Sequence, residues 1–169
     1  GESAATSSEP IGFEVSFGQA LDQSEPEALA QAEPITIDLG EGLRFRLRGR
    51  IDRIDQIGPG SFEIVDYKTG GYFADAWKGT YRGGRMLQHA LYGLAAVELL
   101  KRKKGTKPAS IAAGGYYFSS VKGRQERRVI PRPPTAVLAG VLSDLRQVIA
   151  AGTFVHASDQ DACKWCDYG

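Results

Sequence analysis

One stretch limits what this chain can fold into more than any other: GRIDRIDQIGPGSFEIVDYKTG, Gly49 to Gly70. Two apolar segments flank Gly58-Pro59-Gly60, a cluster that turns a chain, so the stretch reads as a β-hairpin. FEIVDYK has apolar residues on both faces, Phe62 and Ile64 on one and Val65 and Tyr67 on the other, as a central buried strand does. Yet each strand carries an aspartate where a packing residue is expected, and Lys68 follows Asp66 by two places. With the turn centred on Pro59, residues pair when their numbers sum to about 118, which sets Asp52 against Asp66. Opposed residues on antiparallel strands have Cβ atoms roughly 5 Å apart on one face, and the pleat puts Lys68 on that face too.

Two opposed carboxylates repel, severely so in a buried sheet. A divalent cation with hard oxygen ligands relieves both, and Mg²⁺ takes one or two carboxylates together with waters and phosphates. Such an ion polarises a phosphodiester oxygen and lowers the pKa of a bound water. Lys68 is suited to orienting that water or stabilising charge on the phosphate, and the Tyr67 backbone carbonyl is a candidate further ligand. A surface Asp–Lys–Asp ion-pair cluster without catalysis accounts for the same residues, and spacing alone leaves both open.

The net charge of +1 conceals an asymmetry. Residues 1–41 hold nine acidic and no basic residues, whereas residues 42–169 hold 21 basic against 11 acidic. Fifteen of the basic residues fall in three runs, at Arg44–Arg53, Lys101–Lys107 and Lys122–Arg132. Each run alone is read as a solvated face; together they suit a polyanion such as nucleic acid.

The other segments supply an α/β order. IGFEVSF alternates, with Ile11, Phe13, Val15 and Phe17 expected on one face. Residues 18–34 read as a loop with a short helix, and ITIDL and LRFRLRGRID as a hairpin around Gly40-Glu41-Gly42. A helix is expected from about Arg85 to Lys104, with Leu87, Leu91 and Leu94 toward the core, ended by a basic turn and Gly105. Two strands follow, IAAGGYYFSS and QERRVIP, then a helix opened by Pro133-Pro134-Thr135 and stopped at Gly152. No run approaches the ~18 apolar residues of a membrane span, and no signal peptide opens the chain. With two cysteines three apart and no secreted disulfide framework, the expectation is one cytoplasmic domain with a disordered segment at 1–10.

Asp-X₁₃-Asp-X-Lys on a hairpin, read as GRIDRID…EIVDYKTG, resembles the PD-(D/E)xK nuclease superfamily, and within it the RecB/AddB-type branch of helicase–nuclease subunits. Gln88-His-Ala-Leu-Tyr92 is similar to that branch's Q-x-x-L-Y helix motif, and Gln88 and Tyr92 share a helix face. The resemblance implies a restriction-endonuclease-like core, a central mixed sheet flanked by helices, across residues 11–169. It implies Asp52 and Asp66 as ligands of Mg²⁺ or Mn²⁺, Lys68 as catalytic lysine, and Gln88 and Tyr92 as residues that steady the site or the DNA strand. Glu14 stands where the branch often has an acidic residue, although the alternation favours a solvent-facing strand residue there. The implied activity is metal-dependent DNA hydrolysis on single strands or ends, with a helicase domain or subunit as partner.

The chain departs from the pattern in two places. The branch usually places a histidine ligand on a helix before the first strand, and nothing here matches it; His89 and His156 read as plain polar or core histidines. Cys163-Lys-Trp-Cys166 resembles the end of AddB-like nucleases, where cysteines bind a [4Fe–4S] cluster. A cluster takes four thiolates and two are present, so an intact one is not expected in these 169 residues. Alone, the CxxC is open to reading as a redox pair, half a zinc site or an incidental pair. The rivals to a nuclease are a non-catalytic DNA-end-binding module on the same fold and a stand-alone CRISPR-associated exonuclease.

Overall fold

The computed structural model describes residues 8–21, 27–72, 81, 86–102, 110–132 and 134–153. Five strands form a mixed sheet in the order β1-β4-β5-β6-β7: Glu9–Phe17, Gly49–Gly58, Ser61–Lys68, Ser110–Phe118 and Arg127–Pro131. All neighbours are antiparallel except β5 and β6, which run parallel. That pair needs a long crossover, and α1 (Gln88–Arg102) lies within it. A second, two-stranded sheet pairs β2 (Ile35–Asp38) with β3 (Arg44–Leu47), and α2 spans Thr135–Ala150. This is the mixed α/β architecture of a restriction-endonuclease-like fold.

The β4–β5 hairpin keeps the register its sequence sets: Arg53 pairs with Val65, Ile54 with Ile64, Asp55 with Glu63 and Gln56 with Phe62. Pro59 and Gly60 make the turn, with Gly60 at φ +73°, a conformation glycine adopts without steric cost. β5 is the middle strand and Phe62 to Asp66 are all buried, as apolar residues on both faces require.

Other expectations need correction. LRFRLRGRID is not one strand: it breaks at Arg48, and β3 and β4 belong to different sheets. The alternation of β1 is interrupted at Glu14, which has φ +50°. Val15 and Phe17 are buried in the main core, whereas Phe13 is 51 % exposed and lies under the Arg53 guanidinium. β1 also begins at Glu9, two residues before the alternation. No helix occurs among the described residues of 18–34; instead Gln31 bridges to Phe17 and returns backbone hydrogen bonds to β1.

The core face of α1 is made of Ala95, Ala96, Leu99 and Leu100, which meet Ile54, Phe62, Ile64 and Ile111 of the sheet. Leu87 lies against Tyr81 and α2 residues Leu138, Val141 and Leu142, and Leu94 packs against both this cluster and the main core. Ala95 and Ala96 let the helix approach the sheet closely, and Leu99 and Leu100 fill the core beside them. Gly93 lies on the sheet-facing side, where an added Cβ would meet Ile111 and Ile64 at 3.6 and 3.7 Å, ordinary contact distances. Gly93→Ala is therefore expected to stabilise the fold by about 0.5–1 kcal/mol through helix propensity, read as a higher urea midpoint.

Candidate active site

The site lies where the β4–β5 ladder ends. The last pair is Arg53 with Val65, one step short of Asp52 and Asp66. The Tyr67 N–H, which the same register would carry to Ile51, donates instead to Asp52 Oδ2 at 2.8 Å. The carboxylates are thus not a simple opposed pair: Asp52 reaches across to the backbone, and Asp66 stays on β5, 7 % exposed. In a strand the N–H and C=O of one residue project toward the same neighbour, so the Tyr67 carbonyl also turns toward β4.

Burial is the main cause that holds the Asp66 carboxyl above its ordinary pKa; Lys68 opposes the rise and the nearby charge of Asp52 adds to it. Lys68 Nζ lies 2.5 Å from Asp66 Oδ2. The contact is an ion pair that counters the cost of burying the carboxylate. Lys68 Nζ donates to Gln88 Oε1 at 3.2 Å. α1 thereby closes over the hairpin, and Asp52, Asp66, Lys68 and Gln88 come together from β4, β5 and the helix start.

Tyr92, one helical turn beyond Gln88, packs elsewhere. It meets Phe17 edge to face at 5.9 Å and stands over Gly49, where a Cβ would lie 2.9 Å from its hydroxyl. Glu14 falls opposite Asp52, between the pairs Phe13–Arg53 and Val15–Ile51, but its exposed carboxylate is engaged by Arg50 at 2.7 Å. Cys163, Cys166 and His156 lie outside the described residues. Of the basic runs, Arg53 and Arg127 are committed inward. Arg53 grips buried Asp55 through two hydrogen bonds of 2.5 and 2.8 Å, and Arg127 pairs with buried Glu63 at 2.8 Å.

Two buried side chains beside the site escaped the sequence reading as site neighbours. Tyr116, fully buried on β6 and paired in register with Asp66, lies beneath Lys68 with its ring centroid 5.4 Å from Nζ. His89 is 4 % exposed, and burial lowers its pKa to about 4. A histidine charged in the unfolded chain but neutral when folded makes stability fall as pH drops from about 6.5 to about 4. Across that window the loss is roughly 3 kcal/mol, and His89→Asn should flatten this part of a denaturation profile measured against pH.

A buried carboxyl raised by its burial, with the charge of Asp52 nearby, fits a hard divalent cation, and Asp52 can keep its Tyr67 bond while offering its other oxygen. Among the described residues no three His, Cys, Asp or Glu side chains converge on a metal position. A cation would therefore rest on two carboxylates, with carbonyl, water and phosphate oxygens completing its shell.

The chain is 37 % identical over 93 residues to an ATP-dependent helicase/deoxyribonuclease subunit of Symbiobacterium thermophilum, 53 % of this chain and 7 % of that protein. The same-named protein of Limosilactobacillus fermentum is 38 % identical over 76 residues, 40 % of this chain and 6 % of its own length. That of Acetivibrio thermocellus is 39 % identical over 69 residues, covering 39 % and 5 %. The matched stretch is thus a small part of each relative. The PD-(D/E)XK nuclease superfamily, in contrast, matches residues 1–169. The chain belongs to the PD-(D/E)XK nuclease superfamily.

Proposed function

We propose that this chain is a metal-dependent deoxyribonuclease domain that shortens single-stranded DNA or DNA ends, working in the cytoplasm beside a helicase domain or subunit. One observation carries the reading: Lys68 Nζ is held between buried Asp66 and Gln88, next to Asp52 at the end of a strand ladder. A Mg²⁺ or Mn²⁺ ion at Asp52 and Asp66 would supply Lewis acidity to a phosphate oxygen and acidify a water. The Tyr67 carbonyl would join them, and Glu14 would do so on releasing Arg50.

Lys68 does the orienting. Its ammonium has three N–H bonds, one given to Gln88 and one turned to Asp66. The third is available to direct a water at phosphorus or to meet charge growing on a phosphate oxygen. Hydrolysis adds the water oxygen to phosphorus and releases a sugar oxygen. Gln88 limits how far Lys68 can swing, and Tyr92 anchors the helix that carries Gln88. Cys163 and Cys166 would furnish half the thiolates of a [4Fe–4S] cluster.

Single-stranded DNA labelled at either end tests the proposal. Shortening is expected in Mg²⁺ or Mn²⁺ and none in EDTA. Binding without shortening in either metal would favour the non-catalytic end-binding module.

A further inference from the structure

We propose that Tyr116 is a positioning residue for Lys68, holding it both directly through its ring and indirectly by pinning the first turn of α1. Only the kinetic consequence rests on the nuclease reading above; the positioning itself does not.

The first N–H groups of a helix have no partner within it. That of His89 donates to Tyr116 Oη at 3.3 Å, and His89 Nδ1 lies 3.1 Å from the same oxygen. Either tautomer allows that contact, with Oη donating to Nδ1 or accepting from it. One hydroxyl thus ties the start of α1 to β6 at two points. The tie needs close approach, which Gly114 permits: a Cβ there would lie 3.0 Å from the His89 carbonyl oxygen and 3.2 Å from its Cβ. Gln88 precedes His89, so fixing that turn fixes the amide that receives Lys68.

The ring acts from below. An ammonium within ~6 Å of an aromatic centroid is attracted to the ring face, and Lys68 Nζ is at 5.4 Å. Lys68 is therefore held on three sides, by Asp66, by Gln88 and by Tyr116. Tyr116 also packs with Phe118 and Ile130 as any core residue would. Packing alone requires neither the ring beneath the ammonium nor the hydroxyl at the helix start.

The test pairs steady-state cleavage of single-stranded DNA with NMR of the Lys68 ε-methylene protons in the metal-free chain. In the parent those protons are expected upfield of the other lysines, shifted by the Tyr116 ring. Tyr116→Phe keeps the shift but loses the helix tie, and kcat falls on the order of tenfold with KM unchanged. Tyr116→Leu loses the shift and costs kcat on the order of a hundredfold, again with KM unchanged. Lys68 resonating like an exposed lysine in the parent would overturn the proposal, as would a folded Tyr116→Leu with the parent's kcat and shift. Should Tyr116→Leu not fold, Tyr116→Phe decides, and an unchanged kcat overturns the proposal. If the parent cleaves no DNA, the nuclease reading fails, while the resonances of the two variants still decide whether Tyr116 positions Lys68.

Discussion

Lys68→Ala is expected to lower kcat on DNA by a factor on the order of a hundred to a thousand, the usual cost of losing one aligned donor to developing charge. Binding should change little. Lys68 is one of 21 basic residues, and a single phosphate contact alters the salt slope of binding by about 1. The variant should also remain folded, because Lys68 is partly exposed and its loss opens no large cavity. Its absence leaves Asp66 without its ion-pair partner, so the carboxyl titrates still higher and a cation becomes the more necessary. Measured on labelled single strands, equal losses of binding and cleavage would make Lys68 a binding residue instead.

The second large effect concerns Asp66→Asn, a replacement close to isosteric. A cation that binds only the folded state stabilises it, by about 2.7 kcal/mol at a hundred times its Kd. The parent should gain such stability in Mn²⁺ and Asp66→Asn should gain none. The metal-free proteins should also differ with pH. The Asp66 carboxyl is raised above its ordinary value, chiefly by burial. Its contribution to stability is thus complete below the unfolded pKa and is lost as pH rises through the folded one. In EDTA the parent should give up this contribution on going from acid toward neutral pH, whereas Asp66→Asn has none to give up. His89 acts in the opposite sense in both proteins, so the variant should show the steeper loss on acidification. An Mn²⁺ response in Asp66→Asn equal to the parent's would place the cation elsewhere.

The hairpin is legible in the sequence because its determinants are local. Pro59-Gly60 sets the turn, the turn sets the register, and Arg53–Val65 through Gln56–Phe62 follow from it. Asp66 and Lys68 also meet as their spacing suggests, and Gln88, singled out by the family resemblance, reaches Lys68. The departures arise where tertiary contacts override a periodic pattern. Nothing in IGFEVSF marks Glu14 for a positive φ, or the strand for a register shift between Pro10 and Gly12, and Phe13 leaves the buried face that Val15 and Phe17 share. Arg53 belongs by sequence to a basic run, yet two residues away lies Asp55, which needs a cation once β4 buries it. The sheet-facing side of α1 mixes Ala95 and Ala96 with Leu99 and Leu100, and the spacing of apolar residues alone does not single out the alanines. Tyr116 and His89 are 27 residues apart and meet only through the β5–α1–β6 crossover, so no local signal joins them to Lys68.

The central claim is that Asp52 and Asp66 hold one divalent cation beside Lys68. Anomalous diffraction from crystals soaked in Mn²⁺ measures it directly. A single manganese peak is expected between the two carboxylates, at the roughly 2.1 Å of a hard cation–oxygen bond, with Lys68 Nζ still between Asp66 and Gln88. Manganese bound elsewhere while both carboxylates stay unliganded, or no peak at a concentration that supports DNA cleavage, would contradict the account.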